Sequence, residues 1–184
     1  MGSSPSSHPL IPLIFLRIAM PSSQPPPHDK QALKEELLHR MEQDLTTLER
    51  VHHETRAGAT HEEAKSESDK DTRALEQTYL ARGQAQRIVD LRAEVADVRN
   101  MVLRRGDGGG PVCLGALLHV EEDGEEQYLF MASHGGGWTL AGGDVHVITP
   151  KSPLGDALLG LRAGEECETF IANRNRDIYI LDVW

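Results

Sequence analysis

Five carboxylates, Glu62, Glu63, Glu67, Asp69 and Asp71, crowd into ten consecutive residues of the segment ATHEEAKSESDKD at positions 59–71. Carboxylate oxygens are hard donors of the kind divalent cations such as magnesium prefer, so cation chemistry is one reading of the cluster. The other is structural. Asp and Glu favour the first turn of a helix, where they face the positive end of its dipole, and Ser66 or Ser68 would serve as the N-cap. For Asp69 and Asp71 the helix-start reading is the stronger. His52, His53 and His61 lie close by in sequence, but adjacent histidines leave a helix on different faces, so a joint metal site is not expected and solvated side chains are. Cys113 and Cys167 stand far from any second cysteine or spaced histidine. Neither a zinc site nor a disulfide framework follows, and both read as small buried apolar residues in a reducing compartment. Gly106-Asp-Gly-Gly-Gly-Pro111 lacks the following Lys-Ser or Lys-Thr of a P-loop.

The elements that must carry these residues are helical first. Residues 29–56 are rich in Leu, Glu, Lys, Arg and Gln without Gly or Pro, and Leu38, Met41, Leu45 and Leu48 repeat at three and four, the spacing of a coiled-coil seam. Ala57-Gly58 is expected to end this helix, with Gly58 as its C-cap. A second helix is expected over residues 69–103, with Ile88, Leu91, Val95, Val98 and Val102 on its seam. Two such stripes separated by a short polar segment bury each other by folding back, so residues 29–105 form an antiparallel helical hairpin with the acidic segment 59–71 at its tip. At 1.5 Å per residue the rod is about 40 to 50 Å long. Leu33 and Leu37 fall off the seam and are expected to be exposed. A hairpin that closes on itself needs no partner helix, so a monomer is expected.

Residues 106–111 are a glycine-rich linker that no helix can continue through. Residues 112–184 then read as a small, mostly antiparallel sheet with one short helix, strands being expected over 112–120, 127–132, 145–149, 167–172 and 177–183. The helix opens at Ser152-Pro153, with Ser as N-cap and Pro at the first helical position, and closes at Gly160. The fold class is therefore α+β. Residues 1–28 are expected to be a disordered leader. The apolar run HPLIPLIFLRIA at 8–19 is too short to span a bilayer, no Lys or Arg precedes it, and Met20 follows directly. A translation start at Met20 and a native tail both fit, and under either the protein is expected to stay in the cytoplasm without a membrane anchor. With a net charge of −10, a broad grip on duplex DNA is not expected.

A helical hairpin followed by a small sheet domain whose helix opens with Ser-Pro-Leu-Gly resembles the bacterial GreA/GreB transcript cleavage factors. The match is strongest over residues 147–165, VITPKSPLGDALLGLRAGE, which is similar to the C-terminal signature of that family. The resemblance covers about residues 29–184 and implies an FKBP-like fold for the second domain. It implies a transcription elongation factor that binds RNA polymerase, inserts its hairpin into the secondary channel and stimulates cleavage of backtracked RNA, without being an enzyme itself. In that family the tip carboxylates help to hold a magnesium ion of the polymerase active site beside the nascent RNA 3′ end, and the ion activates water against the RNA backbone. The tip motif Gly-Asp-Leu-Ser-Glu-Asn falls on Glu63-Ala-Lys-Ser-Glu-Ser68, a register supported by Glu76-Gln77 and Gly83. The family's essential Glu lands on Glu67 and its essential Asp on Ala64, which has no oxygen to offer; Glu63 or Glu62 would have to stand in. Ser152, Pro153, Leu154 and Gly155 are implied to face the polymerase rim. Arg56, Lys65, Lys70 and Arg73 read as helix-surface charge or as contacts to the RNA end.

Ala64 keeps a second reading open, a Gre-fold regulator that occupies the channel and inhibits or retunes the polymerase without stimulating cleavage. A third, prolyl isomerisation by the FKBP-like domain, needs an aromatic-lined pocket. Aromatic residues are 4% of the chain, and Trp138, Tyr128, Phe130, Phe170 and Tyr179 are enough for one small core. A fourth is a structural coiled coil with a globular cap.

Overall fold

The computed structural model describes residues 25–63, 70–103 and 109–184, with side chains described for all of these but 58–63 and 70–78. Asp29 opens the first helix: its Oδ1 accepts the Gln31 N–H at 2.9 Å, satisfying a donor that a helix leaves open at its start. Helix α1 spans Lys30–Glu63 and α2 spans Lys70–Asn100, packed antiparallel. Two cross-helix ion pairs mark the register, Arg99 to Glu42 at 2.6 Å and Arg92 to Glu49 at 2.7 Å. Ala57-Gly58 does not end α1, contrary to expectation. One glycine costs about 1 kcal/mol in a helix, too little to stop a helix of this length. The second helix is shorter than expected. It ends at Asn100, so Met101 turns into the core and Val102 is left 79% exposed instead of completing the seam.

The base of the hairpin is where the fold departs most from the helical pattern. Leu33 and Leu37, expected to be exposed, are buried, with Leu37 at 0%. With Met41 they are buried in a core shared with the sheet, and Leu38, Leu45 and Leu48 are partly buried against the same core. A single core results, in which Leu33, Leu37, Met41, Val95, Val98 and Met101 meet Leu117, Phe130, Val147 and Trp184. At about 25 cal/mol per Å² of apolar surface, this contact fastens hairpin to sheet far more strongly than a linker could.

The sheet has six strands: β1 Leu117–Glu122, β2 Glu125–Met131, β3 Thr139–Leu140, β4 Val145–Ile148, β5 Glu166–Ile171 and β6 Arg174–Val183, in the order β3-β4-β2-β1-β6-β5. It is mixed, not wholly antiparallel, because β2 and β4 run parallel and residues 132–144 make the crossover such neighbours need. β1 begins at Leu117 and not at Val112, whose backbone is bonded instead to Leu161 and Gly160, and a turn closed by Ala116 N–H to Cys113 O separates the two. The expected turn over 121–124 shrinks to Asp123-Gly124, both at positive φ, the two-residue turn that matches strand twist. β3 was not expected; two residues carry no period to read.

Helix α3, Pro153–Leu158, covers the other face of the sheet, where Leu154 and Leu158 pack on Leu118, Val120, Leu129, Met131, Ile178 and Ile180. The architecture is therefore hairpin, sheet and short helix in three layers. The aromatic residues do not all join the core: Phe130 is fully buried, but Phe170 is 64% exposed near the β5–β6 turn. Cys113 and Cys167 are only partly buried. No helix among the described residues is long and apolar enough to cross a membrane.

Candidate functional site

The described ends of the acidic segment, residues 59–63 and 70–71, lie at the end of the helix pair remote from the sheet. Glu62 and Glu63 are the last two residues of α1, and Asp71 is the second residue of α2, where the helix dipole favours a carboxylate. Ala64, Lys65, Ser66, Glu67, Ser68 and Asp69 lie outside the described residues, as do the side chains of His61, Glu62, Glu63, Lys70, Asp71 and Arg73. From Leu37, which touches the sheet domain at Gly135, to Glu63 is 26 helical steps, or about 39 Å at 1.5 Å each. The backbone of residues 62 and 63 is thus carried well clear of the sheet by the helical rod.

Along the rod the seam changes character. His52, expected to be solvated, is half-buried, because it continues the spacing of Leu45 and Leu48, and its Nδ1 stands 3.4 Å from Gln84 Oε1. His53 is exposed as expected. Among the described residues no group of three or more His, Cys, Asp or Glu side chains is arranged to hold a metal ion.

The second set of candidates is organised by α3. Ser152 Oγ accepts the Gly155 N–H at 3.1 Å and donates to Thr149 O at 2.8 Å, so it caps the helix as expected. Gly155 is buried, and a Cβ at this position would lie 1.9 Å from Thr149 O. Leu154 packs on the core. Ser152, Leu154 and Gly155 therefore each have a role in folding, and of the four residues Pro153 alone is freely exposed. The structure does not bring the two sets together, since α3 covers the sheet face opposite the hairpin.

Sequence reasoning missed the residues at the junction. Glu36 Oε2 accepts the Ala141 N–H at 2.9 Å. Arg40 donates to Thr139 O, and its guanidinium carbon lies 5.2 Å from the centroid of the Trp138 ring, a cation–π contact. Lys34 Nζ donates to Met101 O at 2.7 Å, closing the end of α2, and His134 Nε2 stands 3.0 Å from Asp97 Oδ2. The acceptor on β3 and the donor in its following turn are 99 and 105 residues from their partners, a separation no local pattern reports. Beside the junction, Asp97, Asn100, Met101, Val102, Cys113, Leu114 and Ser133 line a shallow groove.

No family model matches the chain, and no curated protein matches it in sequence. Among solved structures it is similar to GreA factor homolog 1 (Gfh1) of Thermus thermophilus, at 21% identity over 84% of this chain and 96% of that one, with a TM-score of 0.35. Gfh1 of Thermus aquaticus gives 21% identity over 83% and 94%, with a TM-score of 0.35. A third, described as the transcription factor Gfh1, gives 19% over 82% and 92%, with a TM-score of 0.33.

Proposed function

We propose that this chain is a Gre-type factor that binds RNA polymerase and inserts its hairpin into the secondary channel. The observation that carries the reading is the placement of an acid-rich helical end about 39 Å along a rod whose base is welded to a sheet domain. A slender rod reaches through a passage that a globule cannot enter, and carboxylates are the side chains suited to a magnesium-dependent active site. The Ser-Pro-Leu-Gly signature supports the same reading. Glu67, with Glu63 or Glu62, would supply oxygens to magnesium held by the polymerase, beside the RNA 3′ end. The reaction belongs to the polymerase, and the partner is the polymerase rather than free duplex DNA.

The test uses polymerase stalled in a backtracked complex carrying 3′-labelled RNA, with magnesium, and either this protein or its Glu67→Ala variant. Release of short labelled fragments, lost in the variant, is the expected result. Polymerase binding without release moves the assignment to the second reading, a channel-occupying regulator. Ala64, in the place of the family's Asp, favours that alternative. Absence of polymerase binding removes both readings.

A further inference from the structure

The polar contacts at the base of the hairpin are unusual in where they land. The Arg40 and Glu36 side chains keep 43% and 39% of their surface in solvent, where such contacts add little to stability. Both nevertheless reach the stretch 138–141: Glu36 to the Ala141 N–H, Arg40 to Thr139 O and the Trp138 ring. Ala141 holds φ at +52°, a conformation that alanine disfavours, and in that conformation its N–H meets the Glu36 carboxylate. On the other helix, Asp97 meets His134 at 3.0 Å. The rod is thus held to the sheet domain by directed contacts from both α1 and α2, in addition to the apolar core that includes Leu37. Apolar burial is non-directional and sets chiefly how much surface is covered; directed bonds from both helices add a constraint on the angle between rod and sheet.

We propose that Glu36 and Arg40 are positioning residues that, with the Asp97–His134 pair, set the direction in which the hairpin leaves the sheet. Their effect is amplified by length: a tilt of about 10° at the base moves the end of a rod of about 40 Å by roughly 7 Å. A site that completes a metal's coordination tolerates errors of about 0.5 Å. The consequence for catalysis rests on the function proposed above; the geometry does not.

The test is a distance distribution between spin labels on azide-bearing residues at positions 82 and 123, both exposed, one on the upper part of α2 and one at the β1–β2 turn. The unsubstituted protein is expected to give one narrow distance. Glu36→Ala with Arg40→Ala is expected to broaden or shift it while the urea midpoint changes little. Glu36→Gln, which keeps an acceptor for the Ala141 N–H, is expected to stay narrow, an outcome that a role in charge alone does not give. A narrow, unshifted distance in the double variant, or a broad one in the unsubstituted protein, overturns the proposal. These distances are read without polymerase, so they stand or fall independently of the functional reading. If both hold, the double variant loses effect on the polymerase even at a concentration that saturates binding.

Discussion

Leu37 and Gly135 interlock: a Cβ built on Gly135 would lie 2.6 Å from Leu37 Cδ1, and Gly135 holds φ at +82°. The glycine therefore meets two requirements, a left-handed backbone and a close approach of helix to loop. Gly135→Ala is expected to cost about 1 to 3 kcal/mol, from strain and from overpacking. Gly137→Ala is the control, because it shares the left-handed φ of +88° but has nothing within 4 Å. It should lose only the backbone part. Urea midpoints of the two variants measure the difference.

Leu37→Ala removes a side chain that is 0% exposed at the centre of the shared core. A loss of about 2 to 5 kcal/mol is expected. Leu80→Ala, at a site 58% exposed, should stay within about 0.5 kcal/mol. If Leu37 lay on a free helix face, as its place off the seam first implies, the two variants would unfold alike.

His52 and Gln84 occupy seam positions with polar side chains held 3.4 Å apart. His52→Leu with Gln84→Leu is expected to raise stability by about 1 kcal/mol or more, because apolar side chains there bury each other without a polar group to desolvate. The melting temperature should rise, and each single variant should gain less than half of the pair.

Ser152→Ala is expected to cost about 1 kcal/mol through loss of the N-cap. Gly155→Ala is expected to cost more, since its Cβ would meet the Thr149 carbonyl at 1.9 Å and backbone would have to move. Chemical denaturation of both separates folding from partner binding at this helix. A variant of exposed Pro153 that weakens polymerase binding without loss of stability would show a binding role that the other three positions cannot report.

Burial pushes the Cys167 thiol up from its ordinary range. A raised value leaves less thiolate at pH 8, and the thiolate is the reactive form. Iodoacetamide should therefore modify Cys167 more slowly than free cysteine in the same buffer, with the gap closing in urea. Equal rates in the folded protein would show that the site is wetter than its packing implies.

Local pattern determined much of this protein. The three-and-four spacing from Leu38 to Leu48 and from Ile88 to Val98 dictates two helices that bury one another, and Ser152-Pro153 with Gly160 bounds a short helix, because caps and periods act within a few residues. What only the tertiary structure decided depends on contacts far apart in the chain. Leu33 and Leu37 look exposed until a sheet encoded some 80 residues later covers them, and β3 exists because β4 is there to pair with it. The bonds from Glu36 to Ala141 and from Arg40 to Thr139 join positions about a hundred residues apart. Helix period states which face is apolar within one element; which surface closes over a second apolar face is settled only when the elements pack.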